Sequence, residues 1–455
     1  MSTFDAIIIG GGQAGPALAG RLTTAGQTVA LIERKFLGGT CVNVGCMPTK
    51  TLVASARAAH VARTGGTYGV MINGPIEIDM ARVKARADTV IENARGNVGK
   101  WLQGMAGLTL IDGHARFEGP NSLRVGDQGL SAPKIFINVG GRTSIPDMPG
   151  LDEVSYLTSS TILKLDRVPR HLVVVGGSYI GLEFAQMYRR FGAEVTVIER
   201  GPKLIGREDD DISDAIRTIL EAEGITIHTN AGDLAVARHA EGVAVTLASG
   251  IGVTGSHLLV AVGRRPNTDD LGLEAAGIAT DKRGYISVDD RLETGVSGVY
   301  ALGDCNGRGA FTHTAYNDFE IVAANLLEGA DRKLSQRIPA YALYIDPPLG
   351  RVGLSEREAR ASGRNILISK RPMARVGRAV ERGETAGFIK IIADAETKRI
   401  LGAAILGIEG DEAIHGILDA MHADVGYPTL QWAVPIHPTV SELIPTVLGD
   451  LKPPT

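Results

Sequence analysis

Short apolar runs, each closed by glycine and followed by a helix-compatible stretch, recur along this 455-residue chain. Ala6-Ile7-Ile8-Ile9 has no polar interruption, the pattern of a strand covered on both faces in a parallel sheet. It enters Gly10-Gly11-Gly12-Gln13-Ala14-Gly15; Pro16 to Ala25 then reads as helix, and Thr28 to Ile32 as a second strand ending in Glu33. The same order returns further on. His171-Leu172-Val173-Val174-Val175 runs into Gly176-Gly177-Ser178-Tyr179-Ile180-Gly181, and Glu194 to Ile198 ends in Glu199. The acid stands at one spacing from the first glycine in both copies, Gly10 to Glu33 and Gly176 to Glu199. Strand, glycine turn, helix, strand and terminal acid form the Rossmann-like dinucleotide-binding unit. Gly10, Gly12 and Gly15 in one copy, and Gly176, Ser178 and Gly181 in the other, let backbone N–H groups approach a pyrophosphate. Two dinucleotides are therefore expected.

Two more strands end in glycine: Ile135 to Gly141, followed by Pro146 and Pro149, and Leu258 to Gly263, followed by Pro266. They read as crossings between sheets, stiffened by proline. Val299 to Leu302 leads into Gly303-Asp304, another acid at a strand end. From about Arg337 short strands alternate with helices, without a nucleotide fingerprint. The fold class is thus α/β, with two Rossmann-like domains and a C-terminal α+β domain. A carboxylate at the strand end suits a free ribose 2′-hydroxyl and repels a 2′-phosphate, so Glu199 favours NADH. Arg200 and Arg207, close by in sequence, can accommodate the phosphate of NADPH instead.

Composition narrows the class. The 58 glycines fit tight turns and close backbone approaches. Lys+Arg 47 against Asp+Glu 51 gives a net charge of −4, which argues against nucleic acid or anionic membrane as partner. The start lacks the features of a secretory signal, and no apolar run approaches the ~20 residues that span a bilayer. A cytoplasmic protein is expected. Of three cysteines, Cys41, Cys46 and Cys305, the first two stand close together, which in a reducing compartment points to catalysis or metal binding over a structural staple.

The chemistry concentrates in Gly38-Gly39-Thr40-Cys41-Val42-Asn43-Val44-Gly45-Cys46-Met47-Pro48-Thr49-Lys50. Thr51 to Arg63 is helix-like and Pro48 suits a first turn, so Cys46 falls at a helix N-terminus, where the dipole favours a thiolate. Two inert apolar cysteines would need no such glycines or lysine around them. Zinc would need four ligands, and no second Cys or His pair stands at ligand spacing.

These segments, with Gly176 to Glu183, Ala301-Leu302-Gly303-Asp304 and His437-Pro438-Thr439-Val440-Ser441-Glu442, resemble the pyridine nucleotide–disulfide oxidoreductase family essentially end to end. That family includes dihydrolipoamide dehydrogenase, glutathione reductase and mercuric reductase. The resemblance implies an FAD-binding domain over 1–148 and 277–336, an NAD(P)-binding domain over 149–276 and a dimerisation domain over 337–455. It implies that Cys46 is the flavin-side thiol and Cys41 the interchange thiol of a redox-active disulfide. It places Lys50 near the flavin, paired with Glu183 on the nicotinamide side. Glu33 and the first fingerprint hold the ADP half of FAD, Asp304 beside Gly303 its ribitol, and Gly176, Ser178, Gly181, Glu199, Arg200 and Gly263 the nicotinamide cofactor. His437, oriented by Glu442, serves the partner subunit's cysteines as acid–base in a homodimer. His313 suits either a flavin contact or plain packing, and Cys305 a small buried filler.

Substrate is less legible. The chain ends without a cysteine pair, and His437 stands where mercuric reductases tend to carry tyrosine, so dedicated mercury reduction is not expected. The dyad resembles the thiol–disulfide branch, whereas Gly303 to Thr314 is more similar to mercuric-reductase-like and reactive-chlorine-resistance flavoproteins, some of which are suggested to reduce copper. The expectation is a dithiol or metal-ion reductase of small acceptors, with dihydrolipoamide dehydrogenase as the alternative. A redox sensor that uses the disulfide as a switch, or an NAD(P)H oxidase or transhydrogenase independent of the cysteines, are the readings of another class.

Overall fold

The computed structural model describes residues 1–454. The chain opens with strand β1 (Ala6–Ile9), helix α1 (Ala14–Thr24) and strand β2 (Val29–Glu33). A short helix, Gly39–Val44, leads into α2 (Cys46–Thr64), followed by α3 (Met80–Gln103), β3 (Leu108–Asp112) and β4 (Lys134–Ile137). Every β1 residue is buried, because helices cover one face of the sheet and a second layer covers the other.

The second unit repeats the arrangement with β5 (His171–Val175), α4 (Tyr179–Phe191), β6 (Glu194–Ile198), β7 (Thr226–His228) and β8 (His257–Val260). Its strands lie parallel in the order β7-β6-β5-β8. The chain then returns to the first sheet as β9 (Val299–Ala301), completing the parallel order β9-β4-β1-β2-β3, and α5 (Thr312–Leu327) follows. The two crossings run side by side: Gly141–Thr143 pairs antiparallel with Arg264–Pro266. Leu271, Leu273 and Ala276 already pack in the first unit's core, so the return begins ahead of the expected boundary at 277.

The C-terminal part is an antiparallel sheet of β10 (Ala340–Leu343), β11 (Leu349–Gly353), β12 (Ile366–Pro372), β13 (Phe388–Asp394) and β14 (Ile400–Leu406), in the order β10-β11-β14-β13-β12. β13 and β14 are buried along their whole length. One side packs on Ile417, Ile444 and Val447 from the final helices. The other joins a core that also contains Leu52 of α2 and Leu182, Phe184 and Tyr188 of α4. A single apolar cluster therefore clamps α2 against α4 and the C-terminal sheet, and this junction carries the site.

Candidate active site

Geometry at the first fingerprint is set by close approach. A Cβ on Gly15 would lie 2.3 Å from the Gly10 carbonyl, and one on Gly181 2.0 Å from the Gly176 carbonyl, so the first turn of each helix needs a glycine where it packs against the strand-end turn. The acids behave alike too. Glu33 accepts the N–H of Gly11 at 2.8 Å and of Lys35 at 2.8 Å; Glu199 accepts those of Gly177 and Gly201, each at 2.7 Å. Gly12 faces the Asn138 side chain, whose Nδ2 donates to the Gly10 carbonyl at 3.2 Å. Ser178 is the exposed residue before α4, without a side-chain cap. The Gly303 N–H donates to buried Asp318 at 2.8 Å, Asp304 sits 3.3 Å from the Arg264 guanidinium, and the Gly263 carbonyl accepts from Ser144.

Between the two fingerprints lies the cysteine segment. A Cβ on Gly45 would meet the Thr40 carbonyl at 2.8 Å, so only glycine allows the kink that folds helix 39–44 back onto α2. That kink sets the Cys41 and Cys46 side chains close enough to perturb each other's ionisation. Both are free thiols, and Cys46 is the first residue of α2. Its pKa is lowered to about 6, first by the hydrogen bond from Cys41, then, against the opposing effect of desolvation, by Thr312 and the Lys50 charge. Thr312 Oγ1 stands 3.4 Å from Cys46 Sγ. Cys41 moves the other way, pushed well above the ordinary thiol range by its bond to the Cys46 thiolate and by burial. Both shifts favour the negative charge on Cys46 over Cys41.

One turn into α2, Lys50 Nζ donates to Glu183 Oε2 of α4 at 2.7 Å and lies 4.6 Å from the Tyr344 ring centroid. The other Glu183 oxygen accepts the Tyr344 N–H at 3.0 Å. The carboxylate is only 6% exposed, so this pairing is what makes its burial tolerable. His437 and Glu442 also meet, Nδ1 to Oε2 at 2.8 Å. Carboxylate oxygen only accepts, so Nδ1 carries a proton and, whenever the ring is neutral, Nε2 is the basic nitrogen. His437 is 79% exposed, and no hydrogen bond links it to either cysteine within the chain.

Arg200 lies beside Glu199 in sequence, but its guanidinium is exposed and paired with Asp233 at 2.7 Å. Arg207 turns elsewhere. Its guanidinium lies over the rings of Tyr179 and Tyr341, 5.4 and 6.0 Å from the centroids, a direction that loop order alone does not reveal. His313 is occupied in packing: its ring stacks on Phe311 and Nε2 donates to the Ala340 carbonyl at 2.7 Å. Cys305 is wholly buried, its thiol pushed up to about 12 by burial. Sequence reasoning passed over Thr312, Tyr344 and Asn138; of these only Asn138, a polar residue closing the run Ile135-Phe136-Ile137, carries a local signal. Among the described residues no group of three or more His, Cys, Asp or Glu side chains converges as a metal site, and no helix is long and apolar enough to cross a membrane.

Two dinucleotide cradles converging on a dithiol at a helix N-terminus define a nicotinamide- and flavin-linked disulfide oxidoreductase. Residues 4–318 match the family model described as pyridine nucleotide-disulphide oxidoreductase, and residues 339–448 match that family's dimerisation domain. The chain belongs to the pyridine nucleotide–disulphide oxidoreductase family, whose members are FAD-dependent enzymes that use NAD(P)H. It is 38% identical to the probable pyridine nucleotide-disulfide oxidoreductase RclA of Escherichia coli (strain K12), covering 99% of this chain and 100% of that protein. It is 34% identical to dihydrolipoyl dehydrogenase of Thermus scotoductus, with 97% and 96% covered, and 33% identical to mercuric reductase of Lysinibacillus sphaericus, with 90% and 76% covered. A solved structure, the Cu(II) complex of the HOCl-induced flavoprotein disulfide reductase RclA from Escherichia coli, superposes with a TM-score of 0.90 at 36% identity and covers 99% of both chains.

Proposed function

We propose that this enzyme takes electrons from NADH, through FAD, onto the Cys41–Cys46 pair and delivers them to a small disulfide or a metal ion. The observation that carries the reading is the position of Cys46 as the first residue of α2, one helical turn from the Lys50–Glu183 pair, with Cys41 on the short helix just before it. The residues fit the flavin: a backbone cradle that any Cβ would fill, Glu33 at its strand end, and Asp304 near the return of the chain. Bound FAD would supply a two-electron relay between nicotinamide and sulfur. Lys50 places a positive charge beside the thiolate, and Glu183 neutralises that lysine when the thiolate is consumed.

Cys41 faces the acceptor. Its raised pKa means that attack on a disulfide sulfur requires a base to take its proton. Among the described residues no histidine or carboxylate is hydrogen-bonded to Cys41. The His437 Nε2 lone pair is exposed, on a segment whose Trp432, Val434 and Ile436 are 81%, 96% and 79% exposed. In a homodimer that covers this apolar segment, His437 serves the neighbouring subunit's Cys41, with Glu442 stabilising the imidazolium. This dyad favours a disulfide acceptor; the Cu(II) complex of the relative RclA favours a metal ion taken as substrate. Glu199, with Arg200 tied to Asp233 and Arg207 on aromatic rings, favours NADH over NADPH.

The test is turnover with lipoamide, glutathione disulfide, Cu(II), Hg(II) and a quinone, each with NADH and NADPH. At least one acceptor is expected to turn over with NADH and to fail in Cys41→Ala. Full turnover in that variant would support a cysteine-independent oxidase, and no turnover with any acceptor would support a redox sensor.

A further inference from the structure

The Lys50–Glu183 pair joins two helices from different units, and its geometry depends on how α2 sits against α4. On α2, Arg57 projects two turns beyond Lys50; on α4, Glu183, Gln186 and Arg190 form one stripe. The segment Tyr344-Ile345-Asp346, between β10 and β11 of the C-terminal sheet, lies along both. Tyr344 donates its N–H to Glu183 and sets its ring beneath Lys50. Asp346 exchanges two hydrogen bonds with Gln186, its N–H to Oε1 at 2.7 Å and its carbonyl from Nε2 at 2.8 Å. One Asp346 oxygen accepts from Arg57 of α2 at 2.6 Å and from Arg190 of α4 at 2.5 Å. Glu384 holds the other arm of Arg57, and Glu223 holds Arg190 through two nitrogens. Asp346 is 15% and Arg190 6% exposed, so the bridge is largely shielded from solvent.

We propose that Asp346 is a positioning residue for electron entry: by tying Arg57 and Arg190 to one carboxylate oxygen it fixes the register of α2 on α4 and so holds Lys50 on Glu183. Arg63 of α2 also donates directly to the Arg190 carbonyl of α4, but further from Lys50 along α2 than Arg57. The shared apolar cluster resists separation of the helices but is non-directional and tolerates sliding. A carboxylate oxygen between two guanidiniums is directional, and losing it leaves half-buried Arg57 and buried Arg190 facing each other with one carboxylate partner apiece, Glu384 and Glu223. The inference rests on the functional reading above, in which nicotinamide reacts on the Glu183 side. A displacement of the order of 1 Å in such a pair costs about a hundredfold at worst. A register change damped by the apolar cluster should cost about tenfold.

The test uses the holoenzyme of Asp346→Asn. Anaerobic stopped-flow reduction of the flavin by NADH is expected to slow about tenfold, while reduction by dithiothreitol, which enters through Cys41, stays within about twofold. In a Glu183→Gln background the same substitution should cost less than about twofold, because the pair it positions is already broken. Amide exchange over 340–350 should accelerate, since the Tyr344 and Asp346 N–H groups lose fixed acceptors. Equal slowing of both half-reactions, or full additivity with Glu183→Gln, would mean a merely structural role and overturn the proposal. If the wild type is not reduced by NADH, the functional reading fails instead; unchanged amide exchange then overturns the positioning role on its own, and faster exchange supports it. Should Asp346→Asn not fold, Arg57→Gln keeps the Arg190–Asp346 bond and is expected to give the same split at about threefold.

Discussion

Replacing Thr312 with valine tests how the thiolate is held. The hydroxyl lies 3.4 Å from Cys46 Sγ, and valine keeps the shape while removing the donor. A hydrogen bond to a charged acceptor contributes roughly 1.5–3 kcal/mol. Cys46 is exposed and sulfur is a weak acceptor, so about 1 kcal/mol is the appropriate size here. At 1.36 kcal/mol per pH unit, the thiolate midpoint should rise by about 0.7, from about 6 to about 6.7. The sign follows from the depressed pKa: the thiolate is present above the midpoint and lost as pH falls through it. The assay is the pH profile of iodoacetamide alkylation of the reduced protein, with the modified cysteine identified by mass spectrometry. Near pH 6.5 the variant should react roughly half as fast as wild type, and near pH 9 the two should converge. An unmoved midpoint would refute the role of Thr312. Alkylation of Cys41 ahead of Cys46 would refute the assignment of charge between the two sulfurs.

Gly15→Ala and Gly181→Ala place a Cβ 2.3 and 2.0 Å from a carbonyl oxygen; the first is expected to yield protein without flavin, the second a yellow protein that NADH no longer reduces, both read by absorbance. Mixed dimers of Cys46→Ala and His437→Ala protomers have one intact site of two and are expected to recover about half the wild-type activity per dimer, and verified mixed dimers without recovery would exclude a shared site. Lys390 is 2% exposed and holds Asp209, Asp211 and Glu356. Lys390→Met leaves these carboxylates facing one another and should destabilise the protein by roughly 3–5 kcal/mol, read as a lowered Tm.

Both dinucleotide units could be read from residue order because each is local: a strand, its turn, its helix and the next acid are consecutive, and the glycines are dictated by contacts within the unit. The helix-start position of Cys46 was legible for the same reason, through Pro48 and the glycines before it. The pairing of Lys50 with Glu183 spans two units and came only from resemblance. Thr312, Tyr344 and Asp346 were silent, since each acts across the three-part junction and none sits in a pattern that its neighbours impose. The direction of Arg207 was equally silent: a loop residue near a strand-end acid in sequence, it turns its side chain toward Tyr179 and Tyr341, where cation–π contact holds it.

The most direct measurement is an anaerobic NADH titration of the purified protein, followed from the near-ultraviolet to long wavelengths. A flavin spectrum should acquire a long-wavelength charge-transfer band as the first two electrons enter, and Cys46→Ala should bleach without that band. A wild-type protein that bleaches directly, or whose band survives the loss of Cys46, would contradict the placing of a thiolate at position 46 against the flavin.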